Sequence, residues 1–106
     1  MARQKGVSIA VMYFGNDEYS IRVTAHAWQQ MCNRGISVNQ VVETIHALGQ
    51  DSLLKTQADE TDVCVSNKEE GISVVFGWDN NKIMVVTVLS EADNVFVKKK
   101  TLCYSV

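Results

Sequence analysis

Apolar runs separated by turn-forming residues divide the start of the chain into two strand-like segments. The run VSIAVMYF at positions 7–14 is followed by GNDE, and YSIRV at positions 19–23 then alternates apolar with polar residues. Such alternation is typical of a half-buried strand, and Gly, Asn and Asp favour the backbone geometry of a tight turn. The pattern predicts an N-terminal strand or hairpin, with the first run either its outer strand or a loosely attached extension.

A first helix is indicated directly after these runs. Thr24 stands at the N-cap position, where its hydroxyl can accept a hydrogen bond from a free backbone amide. Arg34 and Gly35 mark the end, because a cation suits the negative helix terminus and glycine tolerates left-handed geometry. The apolar residues between them recur at helical spacing and are expected to face inward: Ala27, Trp28 and Met31.

A second helix begins almost at once. Ser37 and Gln40 match the capping-box pattern S-x-x-Q, in which each side chain accepts a hydrogen bond from the other residue's backbone amide. Gly49 is expected to end this helix. Its apolar stripe comprises Val38, Val41, Val42, Ile45 and Leu48. We therefore expect the two helices to form a pair whose apolar stripes pack on a sheet.

The second half of the chain contains the runs that would form this sheet. After QDSLLKTQADET at positions 50–61, interpreted as a polar connector, come DVCVS, ISVVFGW and KIMVVTVLS, separated by turn-rich NKEEG and DNN. The nearly continuous apolar run within KIMVVTVLS is typical of a central strand covered on both faces. A last run, NVFVKKKTLCY, reads as an edge strand protected by lysines. The expected fold is α+β: a strand or hairpin, a two-helix pair, then a three- to four-stranded antiparallel sheet.

The composition is that of a folded globular domain. With 106 residues, 46% of them hydrophobic, and with no proline or repeat, residues 1–106 are expected to form a single domain. The formal net charge of -2 means that nucleic-acid binding would need a local basic patch. No segment reaches the length of a membrane span.

The three cysteines bear on both location and metal binding. Cys32, Cys64 and Cys103 are odd in number, distant in sequence and without C-x-x-C spacing. This spacing argues against a disulfide framework and a zinc site, and favours reduced thiols in a cytosol. No metal-ligand cluster or cofactor motif is present.

His26 is the most informative candidate for chemistry. It falls in the first turn of the first helix, where free backbone amides and the helix dipole favour a neutral imidazole that can accept a proton. The alternative is a helix-start residue bonded to a neighbouring strand. His46, beside the apolar stripe of the second helix, is interpreted as a partly exposed structural residue.

Cationic and hydroxyl side chains provide weaker candidates. Arg34 could bind a phosphate through two N–H donors of its guanidinium, or its charge could simply complement the negative end of the helix dipole. Thr87 is the polar residue within the central apolar run, and Tyr104 offers a hydroxyl and an aromatic face. One basic run could neutralise phosphates or act as a solvated strand edge, and it comprises Lys98, Lys99 and Lys100.

Three segments together resemble a known family. IRVTAHAWQQMCNRGIS, VNQVVETI and ISVVFGWDNNKIMVVTVLSE are similar to a family of small bacterial and phage proteins with the motif T-x-H-A-x-x-R-M-x-x-R-G-I-S and a closing V-V-T-V strand. The likeness spans about residues 19–90. That family is similar to toxin ribonucleases of the RelE, BrnT and barnase-like group, in which helices precede a curved antiparallel sheet.

The resemblance implies RNA cleavage without a metal or other cofactor. A base activates the 2′-hydroxyl, cations stabilise the phosphorane, and an acid protonates the leaving oxygen. Gln30 replaces one motif arginine, so it could hydrogen-bond a phosphate but adds no charge. The resemblance carries over His26 and Arg34, and Thr87 joins them in the predicted catalytic set as a positioning hydroxyl. The predicted RNA-binding set is Lys98, Lys99, Lys100, Gln30 and Tyr104.

Three functions are therefore open at this point. The first is a toxin-type, metal-independent endoribonuclease domain acting on RNA. The second is a non-catalytic protein-binding module on the same scaffold, such as a phage or mobile-element inhibitor or a toxin-neutralising protein, with an antitoxin, immunity protein or host target as its partner. The third is a homodimer in which the long apolar strand is covered by a second copy.

Overall fold

Three helices and six strands make up the part of the chain that the computed structural model describes, residues 6–59, 62–90 and 102–106. The strands are β1 (Val7–Phe14), β2 (Asp17–Val23), β3 (Val63–Asn67), β4 (Ile72–Asp79), β5 (Lys82–Leu89) and β6 (Leu102–Ser105). The helices are α1 (Ala25–Arg34), α2 (Val38–His46) and α3 (Gln50–Asp59). The α+β class expected from the sequence is confirmed.

The strands form one mixed sheet in the order β1-β2-β5-β4-β3-β6. The N-terminal hairpin is confirmed, since β1 and β2 pair antiparallel, and β3, β4 and β5 form the expected antiparallel meander. The prediction of a purely antiparallel sheet of three or four strands was wrong. The hairpin joins the meander through parallel pairing of β2 with β5, and β6 adds to β3 in parallel at the far edge.

The two predicted helix starts have the bonds that their sequences indicate. The Thr24 hydroxyl accepts a hydrogen bond from the Ala27 backbone amide at 3.1 Å. Ser37 and Gln40 form both bonds of the capping box. Gly35 ends α1 with a φ of 66°, the left-handed geometry that glycine adopts without steric cost.

A third helix replaces the expected polar connector. In α3, Leu53 and Thr56 are buried although the segment is mostly polar. The Thr56 hydroxyl accepts a hydrogen bond from Trp78 Nε1 at 2.9 Å, and the Gln57 amide donates to the Asn80 carbonyl at 2.7 Å. These polar contacts hold α3 against the end of β4, so hydrophobic periodicity alone does not reveal it.

The core lies between the sheet and the helices. Alternate residues of the inner strands face it, and its fully buried large side chains are Phe76, Ile21, Ile45, Leu53, Ile83, Val23, Val41, Val63, Val65, Val74, Val85 and Val88. From α1, Ala27 and Met31 are buried as expected, but Trp28 is 43% exposed. The inward stripe of α1 is therefore narrower than predicted.

The Thr56–Trp78 hydrogen bond gives a stability prediction. Thr56→Val keeps the shape of the side chain but removes the acceptor of the indole N–H, so the free energy of unfolding should fall by about 1–3 kcal/mol in chemical denaturation. Thr56→Ser retains the hydroxyl and should lose clearly less. Equal stability of Thr56→Val and the parent protein would contradict this role.

Candidate functional site

Three residues that the sequence analysis singled out share one face of α1. His26, Gln30 and Arg34 are spaced four residues apart, which places them along one side of a helix. This side runs along β5, with which α1 makes its main packing contact. The local sequence thus brings these three side chains to one helix face.

Within the described part of the chain, the adjacent edge of β5 lacks a neighbouring strand where it meets this face. β2 pairs with β5 only as far as Val23 and Val85, because the chain leaves the sheet at Thr24 to begin α1. The Thr24 amide donates to the Val85 carbonyl at 3.0 Å, and an irregularity in the pairing with β4 follows directly. Beyond Val85, the described part of the chain supplies no strand on this side of β5.

Two side chains of α1 take the place of that strand. Gln30 Oε1 accepts a hydrogen bond from the Val88 backbone amide at 2.9 Å, and Arg34 Nη1 donates to the Val88 carbonyl at 2.8 Å. We call this arrangement the Val88 clamp. Because a backbone N–H or C=O needs a partner when it leaves water, the clamp satisfies the same donor and acceptor that a paired strand would. The structure therefore gives Gln30 and Arg34 a structural task.

His26 lies one turn before the clamp and is exposed. Its imidazole makes no hydrogen bond to the described residues. Its backbone is roughly 12 Å along the helix axis from that of Arg34, at 1.5 Å per residue. The Arg34 guanidinium is directed to Val88, so the structure does not bring it to the His26 imidazole, with which the sequence analysis grouped it.

The other predicted site residues lie elsewhere. Thr87 pairs with Val75, whereas the flanking pair of Val74 and Val88 belongs to the core. Thr87 therefore faces the side of the sheet away from the helices. Tyr104 is on β6, three strands from β5, which corresponds to roughly 14 Å at 4.8 Å per strand. Lys98, Lys99 and Lys100 lie outside the described residues.

A different feature stands out at the opposite edge of the sheet. A cleft of about 420 Å³ opens between the end of β1 and the junction of α2 with α3. It is lined by Val11, Met12, Tyr13, Phe14, His46, Gly49, Gln50 and Leu53. His46, interpreted from the sequence as structural, is thus part of it. No local motif marks this cleft, because its walls come from segments that are more than 30 residues apart in the chain.

The strand beside the cleft is uncharged and partly apolar at its surface. None of the eight residues of β1 is ionised near neutral pH, and Val7, Val11 and Tyr13 are exposed. The Tyr13 hydroxyl donates to Glu18 Oε1 at 3.2 Å. This hydrogen bond to a carboxylate raises the pKa of Tyr13, which moves the titration of the phenol further from neutral pH. The rim of the cleft therefore presents neutral, amphipathic groups.

In residues 6–59, 62–90 and 102–106, no group of three or more His, Cys, Asp or Glu side chains could hold a metal ion. Within the same ranges no helix has both the length and the apolar character to cross a bilayer.

Comparisons of the chain with protein families, with characterised proteins and with solved structures gave no match. The functional assignment therefore depends on the chemistry and geometry of the chain's own residues.

The Val88 clamp makes a prediction that separates a structural role from a catalytic one. Gln30→Ala and Arg34→Ala should each lower the free energy of unfolding by about 1 kcal/mol, because one backbone group of Val88 loses its partner. Gln30→Glu keeps an acceptor oxygen and should stay close to the parent protein.

Gln29→Ala, on the exposed adjacent position of α1, is the matched control and should have little effect on chemical denaturation. If Gln30→Ala were as stable as Gln29→Ala, the Val88 clamp would contribute nothing to the fold.

Proposed function

We propose that this protein is a non-catalytic protein-binding module that adds an extended segment of a partner protein to the edge strand β1. The observation that carries the proposal is the juxtaposition of an uncharged, exposed sheet edge with an apolar cleft. The proposal corresponds to the second function inferred from the sequence. It keeps the RelE and BrnT-like scaffold as a hypothesis, supported by the antiparallel meander that follows the helices.

The first element of recognition is the backbone of β1. Among the described residues β1 has one neighbouring strand, β2, so its other side presents backbone amides and carbonyls that an added strand can pair with. Sheets usually block such edges with lysine, proline or very short strands. β1 has eight residues and neither of those residue types. Its bulge between Ser8 and Ala10 disturbs only the N-terminal part.

The second element is the cleft. Main-chain pairing binds any extended peptide, whereas a pocket beside the edge selects particular side chains. The cleft volume of about 420 Å³ lies at the small end of the roughly 300–1,000 Å³ range of ligand sites, which suits side chains of a peptide. Leu53, Phe14 and Met12 give it an apolar wall, and His46 and Gln50 bring polar groups to it.

The chemistry of these two elements indicates the kind of partner. An uncharged edge favours a peptide segment without a strong charge pattern, and an apolar wall favours an aliphatic or aromatic anchor residue. Nothing in β1 would attract a phosphate backbone, because binding to nucleic acids depends on clustered lysine and arginine. We therefore assign this edge to a protein segment.

The dispersal of the predicted catalytic and RNA-binding residues supports the same choice. Acid–base catalysis needs its groups within hydrogen-bond reach of one substrate. Arg34 and Gln30 contact Val88, Thr87 faces away from α1, and Tyr104 is on another strand. A binding function makes no such demand on these residues.

The test uses a display library of short random peptides selected on the parent protein. Selected peptides should be extended, largely uncharged sequences with an apolar anchor, and on binding they should shift the NMR signals of β1 and of the cleft. Val11→Lys places a charge on the exposed edge and should weaken their binding about tenfold or more.

Trp28→Lys is the matched control, because Trp28 on α1 is 43% exposed and Val11 is 48% exposed. It should bind the selected peptides like the parent. Peptides that bind Val11→Lys as tightly as the parent, or a selection without enrichment, would rule out β1 as the docking edge. If sedimentation instead showed a dimer that Val11→Lys dissociates, the occupant would be a second copy of the chain.

A nuclease is the second candidate, and the observation in its favour is the exposed imidazole of His26 at the start of α1. If this function holds, purified protein should cleave total RNA in the presence of EDTA, and His26→Ala should abolish the cleavage. His46→Ala, which alters the other exposed histidine, should leave it unchanged. Absence of cleavage by the parent protein over a range of salt concentrations would eliminate this candidate.

A further inference from the structure

Two of the three cysteines become direct neighbours in the sheet. β3 and β6 pair in parallel with Cys64 aligned to Cys103, although 38 residues separate them in sequence. Aligned residues of parallel strands point to the same face. Cys64 lies between the core residues Val63 and Val65, so both cysteines project on the face away from the helices.

The spacing of neighbouring strands suits a covalent bond between the two. Adjacent strands lie about 4.8 Å apart, and disulfides join Cα atoms separated by about 4.4–6.8 Å. The Cβ atoms of aligned parallel residues are slightly farther apart than the 3.5–4.5 Å or so of relaxed disulfides. A bond here would therefore form with a small shift of the edge strand and would be readily reduced.

The two thiols differ in solvent accessibility, and this difference suits an oxidation in which one thiol reacts before the other. Cys103 is exposed, whereas Cys64 is 2% exposed. Burial raises the pKa of the Cys64 thiol, and the neighbouring Cys103 raises it further, against a smaller opposing effect of a hydrogen bond with Ser66. An external oxidant therefore meets Cys103 first, and Cys64 is placed to react second.

We propose that Cys64 and Cys103 form a redox modification site, at which a low-molecular-weight disulfide converts the two thiols into an intramolecular bond that ties β6 to β3. The Cys103 thiolate attacks one sulfur of the small disulfide, and a first small thiolate leaves. Cys64 then loses its proton to solvent and attacks the Cys103 sulfur, and a second small thiolate leaves. The protein pair gives up two electrons, and the small disulfide becomes two thiols that take up the two protons.

The consequence of the bond concerns the end of the sheet. β6 has four residues and pairs with β3 alone among the described strands. Short terminal strands of this kind open locally at low free-energy cost. A covalent tie in the middle of β6 removes that opening, so oxidation would change the exchange behaviour of this edge and leave the β1 edge as it was.

The test equilibrates the full chain with oxidised and reduced glutathione and maps the thiols by mass spectrometry. Trypsin separates the cysteines, since Cys32, Cys64 and Cys103 fall in the fragments 23–34, 56–68 and 101–106. We expect the fragments 56–68 and 101–106 to be joined, with a mass loss of two hydrogens, and the bond to reopen with dithiothreitol. Cys32→Ser should behave like the parent, because Cys32 on α1 takes no part.

Cys103→Ser should abolish the joined fragments and leave Cys64 as a thiol. Since Cys103 is exposed, this variant should fold even if Cys64→Ser does not. Amide exchange of residues 103–105 should slow about tenfold or more in the oxidised protein. Oxidation that yields only glutathione adducts or joins Cys32 to another cysteine would overturn the proposal, as would unchanged exchange of β6 in a protein that has formed the Cys64–Cys103 bond.

Discussion

This structure depends on hydrogen-bond partners for the backbone amides and carbonyls of the sheet. The requirement is most demanding along β5, whose neighbour changes from a strand to a helix. β5 is paired by β2 over half of its length and then meets a helix on that side. The Val88 amide and carbonyl would be left without partners there, and Gln30 and Arg34 supply one acceptor and one donor. The position of α1 on the sheet, and hence the core around Ala27 and Met31, depends on these two contacts together with burial of apolar surface.

The same requirement explains why a motif that suggests chemistry can serve the fold. An amide and a guanidinium at positions i and i+4 of a helix match the spacing of one residue's N–H and C=O on an adjacent strand edge. A second arginine at position 30 would bring a donor to the Val88 amide, which is itself a donor. Glutamine is therefore the better residue there for the clamp, even though it lacks the charge that a phosphate site needs.

Features set by neighbouring residues were predictable from the sequence, and features set by distant ones were not. The turn after β1, the Thr24 cap and the Ser37–Gln40 box depend on a few consecutive residues, and all three are confirmed. Parallel pairing of β2 with β5 joins segments about 60 residues apart, and α3 is held by Thr56 and by polar contacts that hydrophobic periodicity does not register. The alignment of Cys64 with Cys103 and the walls of the cleft have the same long-range origin. Local patterns therefore predicted the elements other than α3, while the candidate sites arose from how the sheet assembled the elements.

The backbone groups at the two outer strands, β1 and β6, and along the part of β5 beyond its pairing with β2 differ in what contacts them. This difference supports a function at β1. The inner edge of β5 is closed by side chains, and the outer edge at β6 is short, which limits what can add to it. β1 is as long as the central strands, presents Val7, Val11 and Tyr13 to solvent, and has an apolar cleft at one end. Two polar side chains are enough to satisfy the free edge of β5 at Val88. A single lysine in β1 would discourage strand addition there, and β1 contains none. Among the described residues this edge is long, neutral and without a second neighbouring strand, and such an edge beside a cleft suits strand addition by a partner.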